Sequence, residues 1–237
     1  LFRDSLTLKA TPEIRRREVD NLTQFFGQAL IKSKYEFGPK IVVESANSFS
    51  HSEREPSDID DDIDVTYFMN KGNVKVSWQP TYLNKVRFNY ENSMKRWSDN
   101  LPVGSGSQLT NGDFTKDAYT LTLERISGKR FITELIGTKT FLEYNGDRGG
   151  IDTDILIGQL SYVPNSFTII KFNYGRIYAR AKNQQGDLTE YSTPTYGANI
   201  TFFTPRGTIL GFNSVYEVMD SSVAYWNMKE NLKTSVI

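Results

Sequence analysis

Carboxylates are the residues of this chain best placed to do chemistry. Asp58, Asp60, Asp62 and Asp64 alternate along the sequence, so in an extended backbone their side chains lie on one side. Clustered oxygen ligands suit hard cations such as Ca2+ or Mg2+, which makes Asp58, Asp60 and Asp62 the candidate metal ligands. The run is not an EF-hand, because Ile63 stands where that loop needs glycine and no glutamate closes it. A solvated acidic loop is the competing reading, since Glu53, Glu55 and Asp61 join the cluster and only Arg54 opposes it. A further carboxylate, Asp220, follows Met219 at an expected strand-loop junction, where it can accept hydrogen bonds from outside the fold.

Other chemistry is limited by composition. The chain has no cysteine, which excludes disulfides, thiolate metal sites and cysteine nucleophiles. Its one histidine, His51, leaves no histidine pair for a metal. No serine, histidine and acid form a recognisable triad, and no spacing picks out a catalytic carboxylate pair, so the expectation is not an enzyme. No cofactor is implied beyond Ca2+ or Mg2+ at the acidic loop. With 28 basic and 28 acidic residues the formal net charge is zero, so no global field draws the chain to nucleic acid. No apolar run approaches the roughly 20 residues of a membrane helix, and no membrane span is expected. The start at Leu1 reads as a processed product or a piece of a larger polypeptide, with no signal peptide visible.

The elements that would position these groups fall into two parts. Residues 1–64 read as an arm, a helix and an acidic loop, and residues 65–237 as an all-β domain. Thr11-Pro12-Glu13 has the chemistry of a helix start. From there to about Tyr35, Ile14, Val19, Leu22, Phe25, Phe26, Ala29 and Leu30 recur at near-helical spacing, predicting a helix of about 20 residues. Lys40–Glu44 reads as a strand and 45–64 as a polar loop. Val65–Phe68 and Val74–Trp78 read as a hairpin across Asn70-Lys71-Gly72-Asn73. Tyr82–Tyr90 sets Leu83, Val86, Phe88 and Tyr90 against Lys85, Arg87 and Asn89. Tyr119–Glu124 pairs with Arg130–Ile136 across Ser127-Gly128, and strands follow at 155–163, 167–173 and 175–181. Ile200–Phe203 and Thr208–Phe212 form a last hairpin around Pro205-Arg206-Gly207. Many short strands predict an antiparallel sandwich, barrel or prism.

The closing pattern Gly197, Phe202, Pro205, Gly207, Ile209, Gly211, Phe212, Asp220 and Tyr225 resembles the last hairpin and ligand loop of the jacalin-related lectins. Thr120–Gly137 is similar to an earlier hairpin of that family, and the resemblance covers about residues 82–226. It implies a β-prism that binds carbohydrate at one end, with Asp220 accepting hydrogen bonds from sugar hydroxyls beside Met219, Val218 and Glu217. The partner implied is a glycan or glycoprotein. Two other readings stand beside it. A virus capsid jelly roll, a structural subunit that would be a homo-oligomer or bind assembly partners, fits the arm, the polar loops and the neutral charge. A Mg-dependent nucleotidyltransferase is resembled by Ser45 and Asp58-Ile59-Asp60, although Glu44 replaces the glycine that would admit the phosphates.

Overall fold

The computed structural model describes residues 3–16, 23–53, 66–97, 113–144, 149–182, 188–203, 209–219 and 229–236. Twelve strands occupy them: β1 (Arg3–Arg16), β2 (Thr23–Phe37), β3 (Ile41–Glu53), β4 (Thr66–Trp78), β5 (Asn84–Trp97), β6 (Phe114–Ser127), β7 (Phe131–Tyr144), β8 (Gly150–Asn165), β9 (Thr168–Lys182), β10 (Leu188–Phe203), β11 (Ile209–Met219) and β12 (Lys229–Val236). They form one antiparallel sheet in the order of the sequence. Among the described residues there is no helix, and no second layer packs on either side of the sheet. All-β architecture is therefore as expected, but a prism or a sandwich sets separate sheets face to face, and this is a single meander.

The expected N-terminal helix is instead two strands. Thr11-Pro12-Glu13 lies within β1, where Pro12 pairs with Gly27 of β2. A side chain at Gly27 would come within 3.2 Å of the Pro12 Cα, so glycine lets the two backbones pass. On β2, Ala29, Ile31, Ser33, Tyr35 and Phe37 alternate with Gln28, Leu30, Lys32, Lys34 and Glu36. That is a period of two, which a scatter of additional apolar residues disguises as helical spacing. Residues 45–53 continue β3 rather than opening a loop. Asn70–Asn73 runs straight through β4, because the whole strand finds a partner in β5 from Tyr67↔Trp97 to Trp78↔Val86. The predicted strands at 167–173 and 175–181 are likewise one strand, β9.

Turn chemistry confirms the remaining hairpins. Gly38 and Gly128 adopt φ of 65° and 67° at the β2–β3 and β6–β7 turns, a region that glycine enters without steric cost. Thr81 Oγ1 accepts from the Asn84 amide at 3.1 Å before β5, and Asn165 Oδ1 accepts from the Phe167 amide at 2.9 Å between β8 and β9. Tight connections (38–40, 79–83, 128–130, 166–167) gather at one end of the sheet, while the connections 54–65 and 98–113 lie at the other.

Register divides the sheet into two faces of opposite character. Every buried residue among those described (Ser77, Ala118, Thr122, Ile151, Ser161, Gly175, Ile177, Ala179, Ala181, Thr193, Thr195) falls on one of them, which is therefore the shielded, inner face. The large apolar residues fall almost entirely on the other. Leu6, Ile31, Phe49, Phe88, Leu121, Leu135, Leu156 and Phe172 all point outward and are solvent-exposed. On β9 the contrast is direct: Tyr174 is 69% exposed and Ala179 2%.

Gly175 sits on the inner face of β9, close against β8. A Cβ there would run into the Leu156 carbonyl and lie 2.8 Å from the Ile157 Cα. Gly137, on the outer face of β7, has nothing within 4 Å of the same position. Gly175→Ala should therefore cost about 1–3 kcal/mol through overpacking, and Gly137→Ala should stay within about 0.5 kcal/mol. Denaturant midpoints of the two variants check this.

Candidate functional site

The inner face carries the polar chemistry, and register rows show how it is laid out. One row runs Lys34–Glu44–Lys75–Asn89–Thr120–Thr138–Ile155–Ile177–Thr193 from β2 to β10. The next, toward the tight turns, runs Glu36–Val42–Ser77–Arg87–Thr122–Ile136–Ile157–Gly175–Thr195. Charged and amide side chains thus line β2 to β6, and threonine, isoleucine, alanine and glycine line β8 to β10.

The charges pair along the wall, within a strand on β2 and otherwise between neighbouring strands. Lys34 Nζ lies 2.7 Å from Glu36, and Lys75 Nζ 3.4 Å from Glu44. Arg87 of β5 reaches Glu124 of β6 at 3.0 Å and also bridges to Glu134 of β7. Glu134 accepts in addition from Gln159 of β8. Glu124 and Glu134 are directly opposite in the register, an arrangement that repels unless a cation intervenes. Arg87 supplies that cation, and its planar fork suits two carboxylates at once.

Beside Arg87 is a recess of about 360 Å³ lined by Asn73, Lys75, Arg87, Asn89, Glu91 and Thr122. Asn73 Nδ2 donates to Asn89 Oδ1 at 2.6 Å, and Asn89 Nδ2 donates to Glu91 at 2.9 Å. The recess therefore offers donors and acceptors already oriented by one another, open to a hydrophilic solute.

The outer face has its own polar border at the long-connection end. Lys139 pairs with Asp154 at 3.3 Å and Arg180 with Glu190 at 3.5 Å. Aromatic contacts share its two register rows, Tyr90 on Tyr119 at 5.0 Å and Tyr119 on Phe141 at 6.3 Å. Phe131 on Tyr162, at 4.9 Å, lies at the tight-turn end. Between the Phe131 and Lys139 levels the outer face spans about 26 Å along the strand.

The candidates expected from sequence fare as follows. Asp58, Asp60, Asp62 and Asp220 lie outside the described residues. Glu217, Val218 and Met219 end β11, in register with Asn231, Glu230 and Lys229 of β12. Among the described residues no three His, Cys, Asp or Glu side chains gather as a metal site. His51 is on the outer face, its ring stacked on Phe68 at 4.2 Å. The inner cluster of Arg87, Glu124, Glu134 and Gln159 was missed, although Lys85, Arg87 and Asn89 already alternated with apolar residues in the sequence.

No family model matches the chain, and no curated protein matches it. Solved structures do show a likeness. The outer-membrane-expressed OmpT of Vibrio cholerae is 10% identical, with 99% of this chain and 93% of that one covered and a TM-score of 0.48. LpxR from Salmonella typhimurium is 8% identical, covering 89% of this chain and 88% of that one, with a TM-score of 0.42.

Five expectations are corrected. The jacalin-like lectin and its glycan partner are overturned, because the chain is a single twelve-stranded meander and not the facing sheets of a prism. The capsid jelly roll and the nucleotidyltransferase fall on the same topology, which has neither facing sheets nor, among the described residues, a helix. The expectation of a non-enzyme, which rested on the lack of a recognisable triad or catalytic carboxylate pair in the sequence, is withdrawn. The expectation of no membrane span rested on a helix criterion. No helix here is long and apolar enough to cross a membrane, but strands cross by alternation, which that criterion does not see.

If Arg87 is what separates Glu124 from Glu134, Arg87→Met should destabilise the fold by about 1–3 kcal/mol. Adding Glu134→Gln should recover at least half of the loss, a coupling that a double-mutant cycle reads directly. Equal losses in the single and double variants would show that Arg87 acts through packing alone.

Proposed function

We propose that the chain is a transmembrane β-barrel of the outer-membrane type whose polar interior passes small hydrophilic solutes. The observation that carries this reading is the polarity of the two faces. The outer face shows large apolar residues to the surroundings on strand after strand, while lysine, asparagine, glutamate and threonine line the inner face. In water an apolar surface of this extent is an aggregation site; in a bilayer it is the surface required.

The remaining features are those a spanning barrel needs. Antiparallel strands in a nearest-neighbour meander place the backbone hydrogen bonds between strands, so lipid meets few unpaired groups. β1 to β10 run 13 to 16 residues, longer than the 9–11 or so that cross the hydrocarbon. Tight turns at one end, longer connections at the other, and aromatics at both borders of an apolar band fit such a barrel. The reading requires the outer edges of β1 and β12 to be paired, because an open edge is not tolerated in lipid.

The protein should fold from denaturant into phospholipid vesicles, seen as a β-sheet circular dichroism signal, and should aggregate when diluted into buffer alone. Inserted into a planar bilayer it should give discrete conductance steps. Leu135→Arg, at the middle of the outer face, should lower stability in vesicles by about 2–4 kcal/mol. Stable, monomeric folding in buffer without any amphiphile would sink the proposal.

A further inference from the structure

Arg176 of β9 points outward, onto the apolar face, rather than into the polar interior. It is in register with Leu156 and Pro194 and alternates with the buried Gly175 and Ile177. Eight residues separate it from Thr168, where β9 leaves its tight turn, and eight separate Lys139 from Phe131 at the start of β7. Arg176 therefore stands at the polar border of the outer face. In a bilayer that is where an outward arginine extends its charge toward the headgroups while its stem stays against apolar surface.

The side chain is held in place. Nε donates to Ser192 Oγ at 2.9 Å, and the guanidinium carbon lies 5.4 Å from the centre of the Tyr178 ring. Ser192 and Tyr178 face each other one row nearer the long connections, so the guanidinium leans that way. Its two terminal amino groups make no hydrogen bond and no ion pair among the described residues. Acids on the flanking strands are placed elsewhere. Asp154 pairs with Lys139 at 3.3 Å and Glu190 with Arg180 at 3.5 Å, while Asp152 is in register with Arg180.

Toward the tight turns, the wall beside Arg176 is apolar and uneven. Gly158 is in register with Leu135 and Tyr174 and puts no side chain on an outer face where Leu156 is 55% and Tyr174 69% exposed. A Cβ there would meet nothing closer than the Tyr174 carbonyl oxygen at 3.8 Å. The wall thus has a trough one side chain deep, with an oriented cation at its upper end. A planar guanidinium with two free amino groups matches two oxygens of a phosphate, and the trough suits an acyl chain.

We propose that Arg176, oriented by Ser192 and Tyr178, clamps the phosphate of an anionic lipid whose acyl chain lies over Gly158. The site rests on the membrane reading above, because only there does the outer face meet lipid. It adds to that reading a particular lipid, bound at the long-connection border.

The probe is dimyristoyl phosphatidylglycerol, added to the protein folded in neutral detergent micelles, with bound lipid counted by native mass spectrometry. Wild type should hold one phosphatidylglycerol in preference to phosphatidylcholine. Arg176→Gln should weaken that first adduct about tenfold or more, and Arg176→Lys, which keeps the charge and loses the fork, should fall between. Arg125→Gln, at an outward arginine near the tight turn of β6, should leave it unchanged. Circular dichroism in the same micelles checks that each variant keeps its β-sheet. Equal adducts on wild type and Arg176→Gln, no preference between the two lipids, or an equal loss in Arg125→Gln overturns the proposal and leaves the barrel standing. Displacement by inorganic phosphate as readily as by excess lipid would make this a free-phosphate site, and Arg176-dependent dimers in place of adducts would put a second copy there; either result overturns it. Stable folding without amphiphile would instead remove the barrel, and the lipid site with it.

Discussion

Backbone pairing between neighbouring strands is the constraint that the rest of this structure follows from; in the transmembrane reading proposed above, lipid offers the backbone no other partner. Each strand from β2 to β11 is flanked by two antiparallel neighbours, so its amides and carbonyls are satisfied within the sheet. Once the backbone is fixed in this way, successive side chains must point to opposite faces. Leu121 and Leu123 go outward and Thr120 and Thr122 inward, with no freedom to rearrange. Burying each outward leucine in hydrocarbon is worth about 1.5–3 kcal/mol, and a one-residue slip would reverse every strand at once.

The same rule explains the inner wall. Polar side chains of the inner face meet one another, most of them laterally, from strand to strand. Arg87 joins β5 to β6 and β7, and Glu134 extends the link to β8 through Gln159. Thr120 and Thr138 add a hydroxyl pair at 3.1 Å between β6 and β7. These contacts run around the wall and reinforce register where it is otherwise fixed by backbone pairing alone. In the pore reading, contacts that run along the wall leave the space beside it for solute. The small residues of β9 and β10, such as Ala179, Ala181, Thr193 and Thr195, are the shielded ones, so the interior is lined by charge on one arc and by short side chains on another.

Much of the strand pattern was legible in the sequence. The alternation of Val86, Phe88 and Tyr90 with Lys85, Arg87 and Asn89 gave β5, and Ser127-Gly128 gave the β6–β7 turn. What alternation cannot give is its sign. Apolar residues at every second position describe a soluble sheet with its apolar side in and a barrel with its apolar side out equally well. That ambiguity turned the outer face of β10 and β11 into the core of a supposed prism. Hydropathy windows did not help, since each outward leucine is averaged with an inward lysine or threonine. The N-terminal strands were missed for a different reason: Phe25, Phe26 and Leu30 broke the period of two enough to imitate a helix. The inner ionic cluster joins residues from four strands, so only the register brings Arg87, Glu124, Glu134 and Gln159 together.

The central claim is that the apolar face of each strand faces lipid. The chain has no cysteine, so single cysteines at residues 119 to 124 of β6 can each carry a nitroxide label in a phospholipid bilayer. Relaxation by lipid-soluble oxygen and by a water-soluble nickel chelate then reports the surroundings of each position. The account predicts oxygen contact at 119, 121 and 123 alternating with chelate contact at 120, 122 and 124. Chelate contact at 119, 121 and 123, or the reverse alternation, would contradict it.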